Sequence, residues 1–156
     1  MANVHIPAGN FETPLSANAP VKTPVAWSNG VVVQELQFTG TTQTATYVFD
    51  TSQFTTAIVA KIKWKANATT GTAQLEAAIL AHATTAGASV ESHAFATASN
   101  ATTTTSATAN DINETTITIA NQDSITNAKF GVLRIGKIGG TIAVSVNVLE
   151  VNLNIT

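Results

Sequence analysis

The stretch Ala57–Lys65 reads A-I-V-A-K-I-K-W-K and decides the fold class. From Ile58 to Trp64 every second side chain is apolar, and lysines occupy positions 61, 63 and 65. Because successive side chains of a β-strand point to opposite faces of a sheet, this alternation predicts a strand with one buried face. The residues expected on the buried face are Ile58, Ala60, Ile62 and Trp64, and those on the other face are Val59, Lys61, Lys63 and Lys65.

Seven further runs with strand character surround this stretch, and turn residues separate them. They are Val31–Phe38, Gln43–Phe49, Ala73–Ala83, Val90–Ala98, Thr115–Ile119, Lys129–Ile135 and Thr141–Asn152. The run at 73–83 also fits helical spacing, but its flanking turn residues favour a strand that pairs back with the run at 90–98. Together the runs predict an all-β chain, a two-sheet antiparallel β-sandwich that is jelly-roll-like.

The segments between and within the last runs predict a surface loop, a tight turn and a β-bulge. The Thr/Ala/Ser-rich stretch Asn100–Asn110 is of low complexity and is predicted to be a surface loop. Gly139–Gly140 is predicted to be a tight turn into the last strand. In that strand the alternation changes phase at Leu149, which predicts a β-bulge there.

Composition bounds the class of protein. A chain of 156 residues suits one domain, and its absence of cysteine excludes disulfides and thiolate chemistry. Only 10% of residues are charged, whereas 27 are threonine. A surface with so little charge repulsion suits a protein that assembles with copies of itself, although threonine-rich β-proteins in general share this composition.

The first 28 residues differ from the rest, because all four prolines fall there and no hydrophobic period is sustained. We therefore divide the chain into an extended N-terminal arm, residues 1–28, and a sandwich domain, residues 29–156. The arm is expected to dock on a partner, or alternatively to be a disordered tail. Its candidate anchors are Ile6, Phe11, Leu15, Val25 and Trp27.

The net charge of −2 and the small share of aromatic residues give no reason to expect a nucleic-acid partner. No basic and apolar leader precedes residue 8, and no apolar run is long enough to span a membrane. Lys61, Lys63 and Lys65 form a basic stripe on one strand face. The stripe is either a contact for an acidic partner or a glycan, or a surface strand that lysines protect from aggregation.

No constellation of residues indicates catalysis, so we predict that the protein is not an enzyme and has no cofactor or metal. The carboxylates are scattered singly, and neither a nucleophile elbow nor a phosphate-binding loop is present. If the chain turns near Gly87, His82 and His93 stand opposite each other, close enough for a hydrogen bond or a shared ion. With Glu91 they could bind a metal, but a third ligand placed by a motif is missing.

Four segments resemble the small jelly-roll virion proteins of tailed bacteriophages. They are Y-V-F-D at Tyr47–Asp50, K-I-K-W-K-A at Lys61–Ala66, the turn Ala68–Thr72, and F-G-V-L-R-I-G at Phe130–Gly136. Gly139–Gly140 departs from the pattern, because such proteins usually carry an acidic residue in the last turn. The resemblance implies a structural role on the head or in a fibre, commonly as a trimer, and brings no catalytic residues.

The leading hypothesis is therefore a capsid-decorating homotrimer that stabilises or covers the particle. Its partners would be itself and the major capsid protein or other virion proteins, and its location would be the virion after synthesis in the host cytoplasm. The alternative is a tail- or head-fibre receptor-binding module that contacts a host glycan. A glycan-active enzyme on a sandwich scaffold is a third hypothesis, which the scattered carboxylates disfavour.

Overall fold

The computed structural model describes residues 3–16, 18–52, 54, 57–83, 89–125 and 129–155, and the regular structure in them is nearly all β. Two 3₁₀ turns lie at Ala8–Asn10 and Val90–Ser92. The strands are β1 (Asn3–Pro7), β2 (Val21–Ala26), β3 (Val32–Phe38), β4 (Thr44–Asp50), β5 (Ile58–Lys65), β6 (Thr72–Ala83), β7 (Ser99–Thr104), β8 (Asn113–Ile119), β9 (Lys129–Gly140) and β10 (Val146–Ile155). The predicted all-β class is confirmed, including the strand interpretation of the run at 73–83.

The strands form two antiparallel sheets. The first sheet has the order β2-β3-β10-β5-β8, with β1 also paired to β10, and the second has the order β4-β9-β6-β7. The pairs β3/β10, β4/β9, β5/β8 and β6/β7 are nested, as if one long hairpin had been rolled up. This nesting of eight strands is the topology of a jelly roll, so the predicted sandwich is confirmed.

The core lies between the two sheets and is built from the inward positions of every strand. On β5 the side chains of Ile58, Ile62 and Trp64 are buried, as the alternation predicts. Phe38 and Leu75 are buried in the same core from β3 and β6. Burial of a large apolar side chain contributes about 1.5–3 kcal/mol, so these positions dominate the stability of the fold.

A chain of hydrogen bonds crosses the core from one sheet to the other. The indole Nε1–H of Trp64 donates to Thr115 Oγ1 over 2.8 Å, and Thr115 Oγ1 donates to Thr103 Oγ1 over 2.8 Å. Trp64 and Thr115 belong to the first sheet and Thr103 to the second. The relay satisfies polar groups that would otherwise be buried without a partner, and it ties the two sheets together.

The N-terminal segment is part of the sandwich, which corrects the division at residue 28. β1 pairs with β10 and β2 pairs with β3, so both extend the first sheet. Proline is tolerated in β2 because this strand lies at the edge of the sheet, where Pro24 needs no ladder partner on its outer side. Proline content therefore indicated an edge strand and not an arm.

The segment between β6 and β8 also differs from the prediction. Val90–Ser92 is a 3₁₀ turn and residues 93–98 form no strand, so the run at 90–98 does not pair with β6 as expected. β7, from the stretch predicted to be a loop, takes that place at the sheet edge. Its threonines alternate between inward and outward positions, and such β-branched residues suit an edge strand. The turn predicted at residues 84–87 lies outside the described residues.

Two irregularities mark the end of the chain. The pairing of β10 with β5 shifts between Val148 and Glu150, which confirms the bulge predicted at Leu149. β9 runs through the predicted turn to Gly140, where φ is +107° and an added Cβ would collide with the backbone of Thr72. Glycine is required at that position because no other residue fits both the conformation and the close approach. The last strand consequently begins at Val146 and not at residue 141.

Among the described residues, no helix has the length and apolar character needed to cross a membrane.

Candidate functional site

A groove of about 550 Å³ opens on the outer face of the first sheet, the face turned away from the second sheet. Its volume lies within the range of about 300–1,000 Å³ that is typical of ligand pockets. It is lined by Val25, Ala26, Trp27, Ser28, Asn29, Lys65, Asn110, Asp111, Ile112 and Leu149. These residues come from the end of β2 and the following turn, the end of β5, the loop before β8, and the bulge in β10.

The bulge in β10 explains why an apolar side chain faces this groove. Val148 pairs with Trp64 and Glu150 pairs with Lys63, so Leu149 is the extra residue between them. The extra residue of a bulge does not follow the strict alternation of the strand, and the local bend changes the direction of its side chain. Leu149 therefore lines the outer groove, although Val148 and Val151 on either side are buried in the core.

A fixed aromatic ring and a buried ion pair form one wall of the groove. Lys65 Nζ lies 2.6 Å from Glu35 Oε1 and 5.5 Å from the centre of the Trp27 ring. The Trp27 Nε1–H donates to the same Glu35 oxygen over 3.4 Å. The indole is thus held by a cation–π contact and by a hydrogen bond, which fixes the orientation of its ring.

Glu35 lies at the centre of this arrangement. It is only 1% exposed, and its second carboxylate oxygen accepts a hydrogen bond from Asn147 Nδ2 over 2.9 Å. A buried carboxylate is tolerated only when its charge is paired and its lone pairs are engaged, and both conditions are met here. Lys65 and Asn147 lie opposite each other on β5 and β10, so the strand order of the sheet brings all three residues together.

The opposite rim of the groove is a loop with ordered polar side chains. The carboxylate of Asp111 accepts a hydrogen bond from Ser106 Oγ–H over 2.7 Å and another from the Ile112 N–H over 2.9 Å. Asn110 has a positive φ of 63°, and its N–H donates to the Ala66 carbonyl over 2.8 Å. These bonds hold the loop in place, so its outward polar groups are positioned before any ligand arrives.

Several polar groups around the groove have no protein partner in the described part of the chain. Asn29 Oδ1 accepts the Val31 N–H over 3.1 Å, which leaves its NH₂ group to donate elsewhere. The side chains of Ser28 and Asn110 have no hydrogen bond within the described residues. The groove therefore combines apolar walls with hydrogen-bonding groups that point to solvent, the combination that ligand sites use for orientation and specificity.

The lysine stripe lies on one face, as predicted, but each of its charges faces a carboxylate. The nitrogen–oxygen distances are 3.7 Å for Lys61–Glu114, 2.7 Å for Lys63–Glu150 and 2.6 Å for Lys65–Glu35. The carboxylates come from β8 and β10, which flank β5 in the sheet, and from β3, which lies on the far side of β10. The face is consequently neutralised and is not a free basic patch.

The pair Lys63–Glu150 shows this neutralisation most clearly. The hydrogen bond from Lys63 lowers the pKa of Glu150, against a smaller opposing effect of burial. The same contact raises the pKa of Lys63. His5 adds to the pair, because its Nδ1 lies 3.7 Å from Glu150 Oε2 and 3.0 Å from Asn152 Oδ1.

The residues proposed as partner contacts in the N-terminal segment separate into three groups. Ile6 and Phe11 are fully buried in the core of the sandwich, so they cannot anchor a partner, and that expectation is corrected. Leu15 is fully exposed. Val25 and Trp27 lie in the groove with Lys65, which brings two parts of the predicted contact set into one site.

A second cluster of titratable side chains lies on the second sheet. His82 Nδ1 and His93 Nδ1 are 2.9 Å apart, and His93 Nε2 lies 3.1 Å from Asp123 Oδ2, which also accepts the Ala81 N–H. The predicted proximity of the two histidines is confirmed, although residue 93 is not in a strand. A single proton fits between the two facing nitrogens, so the two histidines form a hydrogen bond that joins two segments of the chain.

No group of three or more histidine, cysteine, aspartate or glutamate side chains able to hold a metal ion is found in the part of the chain that the structure describes. Sequence reasoning missed Glu35, Asp111 and Asn147 as members of the site. Their positions in the sequence carry no motif, because only the order of the strands brings β3, β10 and β5 side by side. Leu149 was signalled, through the change of phase that predicted the bulge.

No protein-family model and no curated protein sequence matches the chain. Among solved structures, it is similar to the CBM36-1 domain of a multidomain xylanase from the hindgut metagenome of Trinervitermes trinervoides, with a TM-score of 0.56 and 6% identity over 99% of this chain and 98% of that domain. It is also similar to the exo-β-1,3-galactanase of Phanerochaete chrysosporium determined with galactose, with a TM-score of 0.55 and 9% identity over 99% of this chain and 30% of that one. At these identities the likeness establishes the fold alone, a two-sheet β-sandwich.

Proposed function

We propose that the protein is a non-catalytic glycan-binding module and that its binding site is the groove beside Trp27. The observation that carries the proposal is the indole ring of Trp27, which Lys65 and Glu35 fix at the wall of an open groove. A rigid aromatic ring in a partly apolar groove presents a large contact area, and ordering it on binding requires little further loss of conformational freedom.

The chemistry of the groove suits a sugar. A pyranose ring carries apolar C–H faces and a rim of hydroxyl groups that both donate and accept hydrogen bonds. Trp27, Ile112 and Leu149 supply apolar surface, while Asn29 and Asn110 supply amide groups at the rim. Such a division between apolar walls and a few placed polar groups is the usual arrangement of a small-molecule site.

The carboxylates of the groove are arranged as hydrogen-bond acceptors and not as a catalytic pair. Both oxygens of Glu35 are engaged, by Lys65 and Trp27 on one side and by Asn147 on the other. Both oxygens of Asp111 accept hydrogen bonds within their loop. Glycoside hydrolysis needs a carboxylic acid and a second carboxylate that flank the scissile bond, a role that engaged groups serve poorly.

The structural neighbours support a carbohydrate ligand. The first is the CBM36-1 domain of a xylanase, a carbohydrate-binding module that this chain matches over nearly its whole length. In the virion context suggested by the sequence, such a module would be a receptor-binding part of a fibre that contacts a host glycan. Decoration of a capsid as a homotrimer stays a prediction.

The test is a glycan array followed by isothermal titration calorimetry with the best ligand. We expect Trp27→Ala to weaken binding about tenfold or more, because a loss of about 1.4 kcal/mol of contact is a factor of ten in affinity. Phe130→Ala is the matched control, since Phe130 is an aromatic side chain 43% exposed on the second sheet. Absence of binding to every glycan, or equal affinities for the wild type and the Trp27→Ala variant, would refute the proposal.

A further inference from the structure

The charges of the Trp27 groove do not cancel. Lys65 and Asp111 line the groove, and Glu35 lies behind Lys65. Lys65 and Glu35 neutralise each other at 2.6 Å, whereas Asp111 takes part in no ion pair among the residues that the structure describes. One negative charge at the rim is therefore left without a counter-charge.

Lys65 is poorly placed to attract an anionic ligand. Its side chain is only 12% exposed, and its ammonium group is held between the Glu35 carboxylate and the Trp27 ring. The other lysines of the same face are also paired, Lys61 with Glu114 and Lys63 with Glu150. The outer face of the first sheet consequently has no excess of positive charge that would steer an anionic sugar towards the groove.

Asp111, by contrast, can still accept hydrogen bonds from hydroxyl groups, because each of its oxygens accepts one bond within the loop and an ionised carboxylate offers about four acceptor positions. The bonds from Ser106 and Ile112 fix the plane of its carboxylate at the rim. A charged acceptor forms stronger hydrogen bonds with hydroxyl donors than a neutral acceptor does. An uncharged sugar gains from this carboxylate, whereas a sugar acid placed beside it is repelled.

We infer that the groove selects uncharged sugars over sugar acids, an inference that rests on the proposed glycan-binding function. Asp111 is the residue that discriminates between the two classes of sugar. Glu35 supports this selectivity by cancelling the charge of Lys65. For two like charges about 4 Å apart in a water-like environment, the repulsion corresponds to a preference of about fivefold for the uncharged sugar.

The experiment compares two oligosaccharides of the same linkage: a neutral hexose form, and a hexuronic acid form in which a single unit carries a C6 carboxylate in place of the hydroxymethyl group. Calorimetry should show that the wild type binds the hexose form about fivefold more tightly. In the Asp111→Asn variant the two affinities should become equal to within about twofold. Asp50→Asn is the matched control, because Asp50 also accepts hydrogen bonds from a serine hydroxyl and a backbone N–H but lies on the second sheet.

A second measurement needs no variant. Raising the salt concentration screens the repulsion, so the wild-type affinity for the hexuronic acid form should rise while that for the hexose form stays constant. Equal or tighter binding of the hexuronic acid form by the wild type would overturn the inference and leave the glycan-binding function standing. An unchanged preference in Asp111→Asn would do the same. Binding of neither ligand class, on the array or in solution, would overturn the glycan-binding function itself.

Discussion

Removing Lys65 should lower the free energy of unfolding more than removing Glu35, although the two side chains form one ion pair. Glu35 is 1% exposed, whereas the side chain of Lys65 is 12% exposed and lines the groove. Removing one member of a buried pair generally costs about 3–5 kcal/mol, because the remaining charge is left uncompensated. The structure indicates which remaining charge can reach water and which cannot.

In the Glu35→Gln variant, Lys65 can extend its flexible stem towards the groove and recover hydration. We therefore expect a loss of about 2 kcal/mol in the free energy of unfolding, below the usual range for a broken buried pair. In the Lys65→Met variant, the Glu35 carboxylate remains buried with only Asn147 and Trp27 as hydrogen-bond donors. That loss should reach about 3–5 kcal/mol.

Urea unfolding of both single variants and of the double variant gives the two losses and their coupling energy. Lys61→Met is the control, since its partner Glu114 lies 3.7 Å away in an exposed pair and the variant should lose about 0.5 kcal/mol or less. A Lys65→Met variant that is as stable as Glu35→Gln would show that Glu35 is not the more deeply buried charge. Losses near those of the control would show that the two side chains form no buried ion pair.

Three further outcomes follow from the structure. A chain that starts after residue 28 should lose about 5 kcal/mol or more of unfolding free energy in urea titrations, because it removes two edge strands with the buried side chains of Ile6 and Phe11. Glu150 has a lowered pKa in the folded protein, so its stabilising contribution should be present at neutral pH and lost as the pH falls through that lowered value. In the Glu150→Gln variant the free energy of unfolding should therefore fall less steeply at acid pH. Burial lowers the pKa of Lys137, so the folded protein binds this proton less tightly than the unfolded chain does. The free energy of unfolding should therefore rise as the pH increases from the lowered pKa towards the ordinary one. Unfolding measured at several pH values should show that Lys137→Met is more stable at neutral pH and lacks this rise.

The sequence predicted the fold class because the strands of the sandwich alternate clearly. In β5 each apolar residue at an even position is buried, and the lysine positions lie outward. The bulge at Leu149 was visible for the same reason, since a change of phase in a strict period has few other causes. Local periodicity is a property of neighbouring residues, so a single sequence contains it.

The N-terminal segment and β7 were misjudged because their strands lie at or near sheet edges. An edge strand buries less apolar surface and tolerates proline and threonine, so its pattern resembles that of a loop. β2 shows this with Pro24 inside the strand, and β7 with its run of threonines. Pairing with a neighbour far along the chain defines these strands, and local sequence does not report it.

The candidate site could be predicted only in parts. Trp27 and Lys65 were each expected to contact a partner, but nothing in the sequence linked them to each other. Glu35 links them in space, because the sheet places β3 next to β10 and β10 next to β5. The lysine stripe is a neutral surface and not a basic patch for the same reason, because the carboxylates that compensate its charges lie on other strands.

Glycan binding at the groove beside Trp27 is tested most directly by titrating the ¹⁵N-labelled protein with a glycan ligand and observing the indole N–H signals of its two tryptophans. Trp27 lies in the groove, whereas Trp64 is fully buried and donates its indole hydrogen to Thr115, so the second signal is an internal reference. We expect the Trp27 signal to move with saturating dependence on glycan concentration while the Trp64 signal stays in place. A glycan that binds without moving the Trp27 signal, or that perturbs only residues of the second sheet, would contradict it.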